Sequence, residues 1–149
     1  MKDGHGGVVI GSEMSGGVRN VFVENCYMDS PNLERALRIK TNSLRGGIVE
    51  NVYMRNCSIG EVSDAILRIN FFYGEGDVGN FTPIVKQVYL KNIKSKKSVY
   101  VLAIDGYDRS PIMEIVIEDC NFDGVENGNI LNNYSHLRFI NTFINDVLQ

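Results

Sequence analysis

Val18-Arg-Asn-Val-Phe-Val-Glu-Asn25-Cys26 is written again as Val49-Glu-Asn-Val-Tyr-Met-Arg-Asn56-Cys57. It returns as Val85-Lys-Gln-Val-Tyr-Leu-Lys-Asn92-Ile93 and as Ile112-Met-Glu-Ile-Val-Ile-Glu-Asp119-Cys120. A divergent fifth copy follows, Tyr134-Ser-His-Leu-Arg-Phe-Ile-Asn141-Thr142. Successive starts lie 31, 36, 27 and 22 residues apart, a spacing that marks a solenoid. Within a copy the positions alternate, Val21 and Val23 against Phe22 and Glu24. Period two predicts a half-buried strand, and Val, Ile, Tyr and Phe suit one.

Between the copies lies a second strand-like run. These runs are Gly7–Ser12, Ala36–Thr41, Ala65–Asn70 and Tyr100–Asp105, with a weaker one at Gly128–Asn133. Each unit therefore reads strand, turn, strand, turn, with no helical stretch. The expected fold is all-β: a parallel β-helix of about five coils whose rungs stack by strand pairing. A β-sandwich also suits short strands and turns, but does not require the repeated motif. Asn25, Asn56, Asn92, Asp119 and Asn141 form one column. Asn and Asp tolerate turn conformations and bond local backbone, and stacked in register they would form a ladder of amides.

A chain of 149 residues is expected to form a single domain, residues 1–149, with enough length to bury a core. A formal charge of −3 argues against a nucleic-acid partner, and no apolar run is long enough to span a bilayer. The first residues lack the charged-then-apolar pattern of a secretory leader. Cys26, Cys57 and Cys120 all follow the Asn or Asp of the motif. They read as small buried hydrophobes. No second cysteine or histidine falls at ligand spacing, so neither a metal nor another cofactor is expected.

Laying the second runs in register aligns Leu37 with Leu67 and Ile39 with Ile69, pointing inward. Arg38 then aligns with Arg68, between Val9 and Ala103, and Lys40 with Asn70, between Gly11 and Asp105. Alternation places Arg38 and Lys40 on one outer face, roughly 7 Å apart along the strand. Like charges at one strand spacing, ~4.8 Å, repel. A bound carboxylate gripped by arginine would offset this. So would a solvated pair fanned apart and bridged by Asp64 or Asp105.

Gly4-His5-Gly6-Gly-Val-Val-Ile-Gly-Ser12, the Val18–Asn25 strand and Arg38-Ile39-Lys40 together resemble glycoside hydrolase family 28, the polygalacturonases. The Ser12–Gly17 segment looks more like the bacterial branch. The resemblance extends over nearly the whole chain. It implies a right-handed parallel β-helix and, as partner, an acidic polysaccharide of α-linked galacturonic acid (galacturonan). It further implies that His5 lies beside the catalytic carboxylates and that Arg38 and Lys40 bind the sugar's carboxylate. Arg68 joins that face by register. Tyr73, one coil later, is the candidate sugar-contacting tyrosine; the alternative is a loop aromatic packed on the helix wall. Members of the family are usually exported.

Family 28 enzymes invert, which requires one carboxylic acid and one carboxylate base. The family carries these in Asn-Thr-Asp and Asp-Asp motifs upstream of Gly-His-Gly. Only Met1, Lys2 and Asp3 precede Gly4 here. Glu13, Asp64, Glu75, Asp77 and Asp105 are the nearby acids, Glu13 being the best placed, and none forms an evident pair with the Arg38–Lys40 face. The chain is therefore expected to hold the family's later coils without its N-terminal ones, and to be inactive alone. Unpaired strand edges recruit other chains. A homo-oligomer through the open first coil is expected, or cover from a missing fragment. The alternatives are a non-catalytic module binding acidic polysaccharide and a structural assembly module.

Overall fold

Each coil turns its second strand through a left-handed corner. Asn25, Asn56, Asn92, Asp119 and Asn141 hold φ between +44° and +55°, a region costly to most L-residues and open to Asn and Asp. In the computed structural model, which describes residues 1–149, all regular structure is strand. One sheet contains β1 (Val8–Ile10), β4 (Arg35–Lys40), β6 (Ala65–Asn70), β8 (Tyr100–Asp105) and β11 (Ile130–Asn132), in that order and parallel. The other sheet is built around β2 (Val18–Glu24), β5 (Ile48–Glu61), β7 (Ile84–Lys97), β9 (Ile112–Glu118) and β12 (Tyr134–Ile140). Short strands β3 (Tyr27–Met28), β10 (Asn121–Phe122) and β13 (Phe143–Ile144) continue it past the corner. An antiparallel pairing of β13 with β14 (Val147–Leu148) ends the chain. The chain is a right-handed parallel β-helix of five coils.

The expected register holds throughout. Leu37 pairs with Leu67 and Leu67 with Leu102, while Arg38 lies between Val9 and Arg68. In the second sheet Phe22, Tyr53, Tyr89, Val116 and Arg138 form one column. The three rings stack, with centroids 5.2 and 4.8 Å apart. The amide ladder forms at two steps of the corner column: Asn92 Nδ2 donates to Asn56 Oδ1 and Asn141 Nδ2 to Asp119 Oδ1, both at 2.8 Å.

Two features depart from the strand–turn–strand–turn reading. First, β5 and β7 do not stop at the corner but run fourteen residues through it. Alternation restarts beyond Asn56, with Cys57 and Ile59 buried and Ser58 exposed, so each coil has a third straight segment. Second, Asn20, Asn51, Gln87, Glu114 and His136 also hold positive φ, between +54° and +60°. The pairing skips them, Arg19 matching Glu50 and then Val21 matching Val52. This is a column of bulges that bends every second strand at the same place.

Inward alternation builds a cluster of 31 buried apolar residues. Cys57 and Cys120 are buried in it, and Cys26 is half-buried. Each thiol donates to the carbonyl two residues back, Glu24 at 3.3 Å, Arg55 at 3.2 Å and Glu118 at 3.1 Å. Thr142 makes the same contact to Ile140 at 3.0 Å. Burial pushes the Cys120 thiol up to about 11 and raises Cys57 as well. A thiol-specific reagent at pH 8 is expected to label Cys26 first, and Cys57 and Cys120 only as the chain unfolds, measured by peptide mass mapping. Asn56→Ala is expected to lower stability by about 1–2 kcal/mol in urea titration. Asn56→Gly, which keeps the corner and loses the amide contact, should cost less; equal losses would place the effect in the amide ladder.

Candidate functional site

Alternation along β4 sends Leu37 and Ile39 into the core and leaves Arg38 and Lys40 half-buried on the outer face. Arg68 is the direct partner of Arg38 in the next coil. Its charge is answered by Asp105, 3.5 Å away, which also accepts from Asn132 Nδ2 at 2.7 Å. Asp64 is taken by Arg35, whose Nε lies 2.6 Å from it. Neither Arg38 nor Lys40 has a carboxylate in ion-pair reach. Arg38 Nε is buried and makes no hydrogen bond. Burial, and then the charge of Arg35, push the Arg38 pKa below its usual value, with Glu34 and Tyr73 acting the other way. An unpaired buried donor costs about 1–3 kcal/mol.

Tyr73 covers this pair. Its ring centroid lies 4.2 Å from Lys40 Nζ and 5.5 Å from Arg38 Cζ, within cation–π range. The loop carrying it, residues 71–83, is fastened at several points. The buried Tyr107 hydroxyl lies 2.6 Å from the Phe71 carbonyl and 3.1 Å from that of Gly76. Asn42 Nδ2 donates to Tyr73 O at 2.8 Å and to Glu75 Oε2 at 2.9 Å. Gly79 N donates to Ser43 Oγ at 2.7 Å. Arg109 grips Asp77 through two nitrogens and lies 4.6 Å above the Tyr107 ring. That grip holds the Asp77 carboxyl below its usual range. Tyr73 is thus a packed loop aromatic and also a lid on two cations.

His5 lies just before β1, exposed, with Nδ1 2.7 Å from Glu34 Oε1. Its neighbours are small for steric reasons. A Cβ at Gly6 would meet Val9 at 2.6 Å, and one at Gly7 would meet Met28 Sδ at 2.4 Å. Gly11, at φ +103°, brings its backbone against Lys40 O, where a Cβ would sit 1.9 Å away. The first coil therefore presses closely on the Arg38–Lys40 strand.

Glu34 was not singled out by sequence. The register from Val8–Leu37 extends back to Gly4–Leu33 at the same offset and sets His5 opposite Glu34. Continuing the alignment one turn upstream would have found it. Of the other acids considered, Glu13 is exposed and reaches Arg45 at 3.4 Å. Asp64, Glu75, Asp77 and Asp105 are each bonded to the partners named above. None of the five stands free beside Arg38 and Lys40.

The model of the glycosyl hydrolases family 28 matches residues 1–139. The chain belongs to that family. A probable polygalacturonase of Vitis vinifera is 25% identical over 121 residues, covering 75% of this chain and 23% of that protein. A polygalacturonase of Ralstonia nicotianae is 29% identical over 130 residues, covering 83% of this chain and 24% of that protein. The crystal structure of a hyperthermoactive exopolygalacturonase from Thermotoga maritima superposes with a TM-score of 0.89 at 39% identity. That match covers 97% of this chain and 32% of the other. This family 28 chain thus spans about a quarter of the curated relatives' length and about a third of the solved one.

Tyr107→Phe is expected to cost about 1–3 kcal/mol by stranding the Phe71 and Gly76 carbonyls. Hydrogen exchange should quicken in residues 71–83 while β4 and β6 stay protected. Uniform quickening would mean that Tyr107 supports the whole stack rather than the Tyr73 loop.

Proposed function

We propose that the face formed by β1, β4 and β6 binds the carboxylate of galacturonic-acid units in a polygalacturonase-type hydrolase. The observation that carries this reading is Arg38. Its guanidinium is partly desolvated, and neither it nor Lys40 beside it has a counter-ion. A sugar carboxylate would supply the missing charge, and arginine takes such a group bidentately. Arg68 borders the subsite from the next coil with its charge held by Asp105, and Tyr73 would bound the subsite on its loop side. His5 stands at the opposite rim, where the neighbouring sugar's hydroxyls would pass.

In this reading residues 1–149 contribute substrate binding and an auxiliary histidine. The acid and base of an inverting hydrolysis are not drawn from the five acids named above, since each is engaged with another side chain of the scaffold. Tested as the isolated chain, the protein is expected to bind oligogalacturonate and to release no reducing sugar from polygalacturonate above background. Turnover that survives repurification would show that a functional carboxylate pair exists within it. Arg38→Ala with Lys40→Ala is expected to lower oligogalacturonate affinity at least tenfold by calorimetry. Raising the salt from 50 to 500 mM should weaken wild-type binding as well. Unchanged binding in the double variant would remove the anion-face reading and leave a structural module.

The first coil also exposes paired apolar surface. Phe22 is 58% and Tyr27 61% exposed, and the outer edges of β1 and β2 have no strand partner. Phe22 has one ring face stacked on Tyr53 and the other open. We propose that this edge is covered by further β-structure, and that the isolated chain meets the need by self-association. Sedimentation at micromolar concentration is expected to show a homo-oligomer that Phe22→Lys weakens. A stable wild-type monomer would count against it.

A further inference from the structure

We propose that Glu34 is a positioning residue for His5: its carboxylate holds the imidazole proton on Nδ1 and so leaves Nε2 as the acceptor nitrogen of this exposed ring. The tautomer follows from the contact with an ionised carboxylate; its use toward a sugar rests on the galacturonan reading above.

The contact is built from both sides. Glu34 N donates to Gly4 O at 2.9 Å, Gly4 N to Asn32 O at 3.1 Å, and Gly7 N to Arg35 O at 2.8 Å. These backbone bonds flank His5 and clamp its turn onto the start of β4. The Glu34 carboxylate is oriented in turn. Its Oε2 is bonded by Arg35, and Arg35 Nε is anchored on Asp64 at 2.6 Å. This leaves Oε1 for His5 Nδ1, 2.7 Å away. Burial acts to raise the Glu34 pKa, but the His5 hydrogen bond and the charges of Arg35, His5 and Arg38 outweigh it, so the group titrates below its ordinary value. An ionised carboxylate only accepts. Nδ1 must therefore donate, and in the neutral ring Nε2 carries the lone pair. The unit is a relay of four side chains, His5, Glu34, Arg35 and Asp64, spread over three successive coils.

Long-range proton–nitrogen NMR of the histidine-labelled chain, above the imidazole titration, reads the tautomer directly. His136 is the only other histidine, and a His136→Asn variant assigns the signals. Wild type is expected to show a protonated Nδ1 and a pyridine-like Nε2. In Glu34→Gln, whose amide can donate as well as accept, that pattern should be lost. Backbone shifts outside residues 3–8 and 33–36 should stay in place. A wild-type ring protonated on Nε2, or a pattern unmoved by Glu34→Gln, would overturn the assignment, and the wild-type measurement decides even if the variant folds poorly. Trigalacturonate is expected to move the Nε2 signal, and no movement at saturation would overturn the presentation of Nε2. Loss of binding in the Arg38→Ala, Lys40→Ala chain bears on the galacturonan reading alone, so the two ideas fail separately.

Discussion

Stacking identical strands in parallel register sets every side chain against its counterpart one rung away, at ~4.8 Å. A position must therefore tolerate its own kind, or a neighbour chosen to suit it. Inside the stack the rule is satisfied by default, since Leu37 on Leu67 on Leu102 is a favourable column. On the outer face of the second sheet many charges are answered by an opposite charge one rung away. Glu50 pairs with Arg19 at 2.6 Å and with Lys86 at 3.0 Å, Glu61 with Lys97, and Glu118 with Lys91. Exposed pairs of this kind contribute little each, ~0–1 kcal/mol. Their value is that cations meeting in one column each hold an acid: Arg55 lies beside Lys91, but Glu24 takes the first and Glu118 the second.

The Arg38 column breaks that rule. Its members are Val9, Arg38, Arg68, Ala103 and Ile130, so two arginines meet and no acid separates them. Asp105 reaches only Arg68, and it does so diagonally from a neighbouring column. Arg55 and Lys91 also meet, on the second sheet, but each holds an acid, whereas Arg38 holds none. Like charges in this position are destabilising, as is the orphaned Arg38 Nε. Strain and unmet polarity concentrate where a fold is put to use.

The stack was legible in the sequence because its signals are local and repeated. Period-two alternation located both sheets, and the register followed from aligning Ala36–Thr41 with Ala65–Asn70. Asn25, Asn56 and Asn92 announced the corners because few other residues accept positive φ. The bulge column was not legible, since Gln87, Glu114 and His136 do not advertise that conformation, although Asn20 and Asn51 do. The strand beyond each corner was missed because it is short and carries few apolar positions. Glu34 was missed because it precedes the run in which alternation is visible. The fastening of the Tyr73 loop was hidden for another reason: Tyr107 bonds Phe71 across 36 residues of sequence, and nothing local to either residue signals it.

That fastening matters to the electrostatics. Lys40 and Arg38 share one aromatic ring, and a cation held over a ring gains about 0.5–1 kcal/mol at exposed sites and more when water is excluded. The ring thus offsets part of the repulsion without supplying a negative charge. It also removes water from one side of each cation, which raises the effective strength of any ion pair they later form. A carboxylate in place of Tyr73 would have taken up one of the two cations and competed with an anionic ligand. An aliphatic residue would have left both cations dependent on solvent. An aromatic lid, fixed by Tyr107 and Asn42, keeps the cations ordered, partly dry and still unsatisfied, the state in which the incoming carboxylate of a sugar acid would gain most.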